Sequence, residues 1–153
     1  MSTRSICRRG LRAPGAVLAA ACLVLVGLAS PAQARELEDI PVGRTCATLK
    51  VENMNVVYEV CDDQANSSVY PNWRKHGINA KAVRCPQTFY ESRVRAAALS
   101  PYGNEPWSAE SKRKNDPCPD HYLGLSSKTG STVTVSLWLE PGGIGGSVTL
   151  PSL

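Results

Sequence analysis

Two alternating segments, Cys46–Val51 and Val56–Cys61, flank the polar tetrapeptide Glu52–Asn55 and constrain this chain more than any other feature. Alternation of apolar and polar side chains marks a half-buried strand, and a short Asn-bearing spacer makes a turn. A hairpin closed about that turn sets Val51 opposite Val56 and Cys46 opposite Cys61. Ala47, Leu49, Val51, Val56, Tyr58 and Val60 then share one face, while Cys46, Thr48, Lys50, Val57, Glu59 and Cys61 share the other. A slip of one residue would turn the apolar set to the wrong side, so burial fixes the register. Directly opposed residues have Cα atoms about 4.5–5.5 Å apart, within reach of a disulfide. The expected bonds are Cys46–Cys61 and, by elimination, Cys85–Cys118.

That elimination rests on the first 34 residues being a leader. Arg4, Arg8, Arg9 and Arg12 precede an apolar run, Ala16–Ala29, and Ala32-Gln33-Ala34 offers small residues where a signal peptidase cuts. The run is shorter than the ~20 residues of a membrane-spanning helix. The expectation is a signal peptide at 1–34 and a single secreted, extracellular, β-rich domain at 35–153, with no transmembrane segment in the mature chain. Cys7 and Cys22 leave with the leader, and an even set of four cysteines enters an oxidising compartment. The formal charge changes as well. Four of the 17 basic residues and none of the 13 acidic ones lie in the leader, so the net +4 belongs to it and the remainder is balanced. No nucleic-acid partner is expected of a neutral domain. With 42% apolar and 20% charged residues among 153, the composition excludes a collagen-like or wholly disordered chain.

Further along, Asp62–Asn79 is polar and reads as a long loop or a short edge element. Ala80–Cys85 reads as a strand. Residues 88–99 are ambiguous: Thr88 and Glu91 form a capping-box pattern for a short helix, whereas a strand would line up Tyr90, Ser92, Val94, Ala96 and Ala98. Ser108–Pro119 is charged and loop-like. Ser131–Leu139 is the clearest strand, with Val133, Val135, Leu137 and Leu139 on one face. Pro141–Gly146 makes a turn, and Ser147–Leu150 returns as a last strand. Many short strands punctuated by turn residues predict an all-β sandwich.

One stretch, residues 85–108, resembles a fibronectin type III domain. The resemblance is carried by Cys85–Tyr90, Glu91–Ala96, Tyr102-Gly103 and Pro106–Ser108. It implies an immunoglobulin/fibronectin III-like sandwich, a strand at 88–99, a tyrosine-corner role for Tyr90, and a binding module or spacer. Fold alone does not fix a function.

Little in the chain points to catalysis. His76 and His121 are the two residues suited to near-neutral proton transfer. Asp120 and His121 with Ser126 or Ser127 could be a hydrolytic set, but neighbours in an extended segment point apart and no nucleophile elbow is present. Cys118 and His121 have a metal-site spacing, yet a second ligand cluster is missing and disulfides consume the sulfurs. No metal, cofactor or catalytic residue is therefore assigned. Tyr70–Gly77 combines aromatic rings with cations, a mixture suited to stacking on a sugar or anchoring a protein. Trp73, Arg74 and Lys75 are the candidate binding residues, with the solvated-loop reading beside them. Trp138 lies on the polar face of its strand, either as a fourth binding residue or covered by the 62–79 segment. Lys112–Lys114 reads as a solvated basic run. The leading expectation is a non-catalytic extracellular module for a protein or glycan partner. A protease inhibitor presenting a disulfide-held loop and a small hydrolase using His121 are the alternatives.

Overall fold

Eight antiparallel strands account for most of the computed structural model, which describes residues 38–153 apart from Pro117. The expected signal peptide at 1–34, with Cys7 and Cys22, lies outside the described residues. The strands are β1 (Ile40–Val51), β2 (Val56–Asn66), β3 (Trp73–Arg84), β4 (Phe89–Leu99), β5 (Pro106–Asp116), β6 (His121–Lys128), β7 (Val133–Glu140) and β8 (Ile144–Leu150). They form two sheets, ordered β1-β2-β3-β6 and β5-β4-β7-β8. The neighbours β3 and β6 each continue into the other sheet, as β4 and β7, which are neighbours there. This interlocking ties the sheets into one sandwich. Among the described residues no helix is long and apolar enough to cross a membrane.

The first hairpin has the register that its alternation demands. Val51 pairs with Val56, Leu49 with Tyr58 and Cys46 with Cys61. One 3-10 turn, Glu52–Met54, and Asn55 at φ 55° make the reversal. Asn tolerates this left-handed conformation better than other side-chain-bearing residues. Leu49, Val51, Val56, Tyr58 and Val60 are buried on the inner face. Ile78, Ala80, Val94, Ala96, Val133, Val135, Leu137, Leu139 and Leu150 meet them from the remaining strands. Both expected disulfides are present, Cys46–Cys61 and Cys85–Cys118.

Two segments differ from expectation, and a third, left open between helix and strand, is a strand. Asp62–Asn79 is not a long loop: β2 runs on to Asn66, β3 begins at Trp73, and the loop between them is short. The inward positions that follow Val60 are Asp62 and Gln64, and Arg74 and His76 face inward on β3. A polar interior hides a strand from a hydropathy pattern. Residues 88–99 form β4, with no helix. Pairing on both sides, with β5 and β7, overrides the local capping pattern. Ser92, Val94, Ala96 and Ala98 line its inner face as expected, whereas Tyr90 is exposed with the Lys114 ammonium 5.9 Å from its ring. Ser108–Pro119 mostly belongs to β5, an edge strand. Its charged side chains, Lys112–Lys114 included, suit an edge that must not recruit another chain.

Gly145 is the glycine the fold most needs. A Cβ there would collide with the Leu137 carbonyl oxygen across the β7–β8 pair, so no other residue fits that register.

Candidate binding surface

The β2–β3 loop and the β4–β5 loop lie at the same end of the sandwich, one from each sheet. Four aromatic rings meet there. Tyr70 stacks on Trp73 at 4.5 Å between centroids and 27° between planes. Tyr102 and Trp107 approach Trp73 edge-on at 5.0 and 5.6 Å, and each other at 5.6 Å. These distances are those of mutually attractive ring pairs. The cluster nevertheless faces water: Tyr102 is 74% exposed, Tyr70 51% and Trp107 37%, with Trp73 half-buried among them. Grouped aromatic exposure of this kind opposes the hydrophobic effect, and exposed apolar patches are common at interaction sites.

Hydrogen bonds hold both loops in shape. The Ser67 hydroxyl accepts from the amides of Val69 (3.3 Å) and Tyr70 (3.1 Å), and the Ser67 amide donates to the Trp73 carbonyl at 3.0 Å. Asn72 takes φ 65° and its carbonyl accepts from Thr129 N at 2.9 Å, which fastens the loop to the β6–β7 connection. In the second loop the Ser100 amide donates to the Glu105 carbonyl at 3.0 Å, and its hydroxyl accepts from Tyr102 N at 3.1 Å. The rings are thus ordered before any ligand arrives, which lowers the entropic cost of binding.

The expected binding residues part company here. Trp73 lies at the centre of the ring cluster, as the first residue of β3. Lys75 is exposed and donates to Asp39 Oδ2 at 2.7 Å. That bond, with the Ser68 amide, holds the Asp39 carboxyl below the usual carboxylate range. Arg74 is not a surface residue. Strand alternation turns it inward, 5% exposed, where Nη1 donates to Gln64 Oε1 at 2.9 Å. Gln64 in turn donates to the Pro151 carbonyl and accepts from Leu153 N, so this pair fastens the C-terminal segment. Trp138 lies apart, on the outer face of β7 toward the other end, half-buried opposite Arg93, whose guanidinium is 6.0 Å from its ring. Residues 62–79 do not cover it, because they lie in the other sheet. Tyr102 and Trp107 were not expected in the site. The signal available was one aromatic residue within the turn Ser100–Asn104 and another just after it, where burial is rare.

Both histidines are buried. His121 is not paired with Asp120, whose carboxylate accepts from Ala82 N at 3.2 Å. Its ring nitrogens instead lie 3.0 Å from the Ser92 and Ser111 hydroxyls, joining β6 to β4 and β5. Burial, followed by the Arg113 charge, lowers its pKa to about 4 against a weaker opposing pull from Asp120. The unfolded chain titrates near the ordinary value of 6.5. Below that pH the unfolded state binds a proton that the folded state refuses, so stability is lost as pH falls from 6.5 toward 4. The expected loss is about 3 kcal/mol over that window. Urea unfolding of His121→Gln should lack this component; equal slopes in variant and wild type would refute the assignment.

Ser127 pairs with His76 instead of His121. Asp62 Oδ2 lies 2.7 Å from His76 Nδ1, and Ser127 Oγ lies 2.7 Å from His76 Nε2. The order of groups is that of a hydrolytic triad, but the setting is not. Asp62 and Ser127 are fully buried and His76 nearly so, and the Ser127 hydroxyl also donates to the Lys128 carbonyl at 3.1 Å. A nucleophile must meet substrate and hand its proton to the imidazole. Among the described residues there is also no cluster of three or more His, Cys, Asp or Glu that could hold a metal ion. Compared with family models, with curated proteins and with solved structures, the chain matches none.

Proposed function

We propose that this chain is a non-catalytic binding module that acts outside the cell and docks a protein or glycan partner on the ring cluster of Tyr70, Trp73, Tyr102 and Trp107. The carrying observation is that two separately hydrogen-bonded loops, one from each sheet, hold four rings together against water. Tyr and Trp are the side chains that most often dominate binding energy, because they bury much area at small entropic cost. Two disulfides suit an oxidising exterior. The inhibitor alternative has less to present, since most of 62–79 is strand and its remaining loop carries rings with no extended scissile segment.

The test uses labelled protein on a glycan array and on intact cells. Trp73→Ala should weaken binding at least about tenfold, roughly 1.4 kcal/mol, while urea unfolding stays cooperative with a modestly lower midpoint. Unaltered binding in the Trp73→Ala/Trp107→Ala double variant would remove the cluster from consideration.

A further inference from the structure

We infer a second site on the outer face of the β1-β2-β3-β6 sheet, a groove that takes an uncharged glycan. It is separate from the ring cluster and does not depend on it. One cross-strand row runs Arg44, Asp63, Gly77, Gly124, and the next includes Asn79 paired with Tyr122. The two glycines therefore lie side by side and leave a bare floor on β3 and β6. Asp63 and Arg44 close one end, and Asn79 and Tyr122 form a wall. The space above them is shallow and open to solvent, with a volume of about 520 Å³.

The fold does not call for those glycines. Neither has a positive φ. A Cβ at Gly77 would meet its nearest atoms at 3.7 Å and one at Gly124 at 3.6 Å, both ordinary contacts. Glycine inside a strand weakens it and marks a bulge, a tight bend, or close approach by a ligand or another backbone. The register runs unbroken through Gly77 and Gly124, which leaves close approach. Gly145 is the contrast, where the backbone itself excludes a side chain.

The lining chemistry selects the ligand class. Arg44 and Asp63 form a two-pronged ion pair, Nε–Oδ1 at 2.7 Å and Nη2–Oδ2 at 2.8 Å, so the groove carries charge of both signs and no net charge. An anionic ligand would have to displace Asp63. Tyr122 is 63% exposed and offers a ring face and a hydroxyl. Asn79 Oδ1 is shielded and lacks a hydrogen-bond partner. Rotating that amide toward the groove lets a ligand hydroxyl satisfy it. Hydroxyl-rich, ring-shaped, uncharged molecules use all of these groups together. A peptide strand laid on the floor gains no ladder from β3, because β3 already pairs with β2 and β6.

The experiment is affinity electrophoresis of the intact protein through gels holding xylan, glucomannan, hydroxyethylcellulose, laminarin or dextran. At least one polymer should retard the wild type. Tyr122→Ala should reduce that affinity at least tenfold, and Tyr90→Ala, which removes an exposed ring from the other sheet, should leave it within threefold. Gly124→Val should abolish it while keeping or raising the thermal midpoint. A fall in that midpoint would make the glycine structural and overturn the inference. So would indifference to all five polymers, or binding that survives both Tyr122→Ala and Gly124→Val. The ring cluster is judged separately by its own variants.

Discussion

Asp62→Ala is expected to lower the unfolding free energy by about 3 kcal/mol, the cost of leaving a buried hydrogen-bonding group without its partner. Asp62, His76 and Ser127 project into the sandwich from three adjacent strands, β2, β3 and β6. The alanine variant leaves His76 Nδ1 without its 2.7 Å partner in a region closed to water. Water cannot repair the loss, because both side chains have no exposed surface. Asp62→Asn keeps an acceptor in place and should cost less. Ser127→Ala removes the other contact and should cost about 1–3 kcal/mol. Urea unfolding of the three variants gives the ranking. A loss under about 1 kcal/mol for Asp62→Ala would show that the network is not structural, and the hydrolytic reading of Ser127 would return.

That network also explains where sequence reasoning succeeded and failed. The hairpin was legible because apolar inward residues alternate with polar outward ones, and the cysteines then had one sensible pairing. The same logic found β7, whose inward residues are all apolar. It failed from residue 62 onward because Asp62, Gln64, Arg74 and His76 are inward and polar. They are tolerable inside because they bond to one another, to Ser127 and to the C-terminal segment, and partners so distant in the chain leave no local trace. Arg74 was misplaced for the same reason: its neighbours in sequence suggested a surface, and its strand parity decided otherwise. At β4 the capping pattern was real but weak beside two flanking strands. Trp73 was legible as unusual, yet its ring partners Tyr102 and Trp107 come from the other sheet. Their meeting is a consequence of topology.

Removing the Cys85–Cys118 bond should be the most damaging change to the scaffold. Cys85 precedes β4 and Cys118 precedes β6, so the bond joins two of the three connections that carry the chain between sheets, β3 to β4 and β5 to β6. Its sequence separation of 33 residues gives about 4 kcal/mol from restriction of the unfolded chain. The Cys46–Cys61 separation of 15 gives about 3 kcal/mol. The two also differ in the folded state. Cys46 and Cys61 join strands already paired along their length, and Cys61, although buried, lies outside the hydrophobic core cluster, whereas Cys118 packs within it. Losing its sulfur therefore adds a packing defect to the entropic cost. The double variant Cys85→Ala/Cys118→Ala should thus lose more stability than Cys46→Ala/Cys61→Ala in urea. For a domain whose net stability is about 5–15 kcal/mol, that loss brings unfolding close to ambient conditions. Should the hairpin bond prove the costlier of the two, the interlocked crossovers would be holding the sheets together without covalent help, and the stability of this sandwich would reside in its first hairpin.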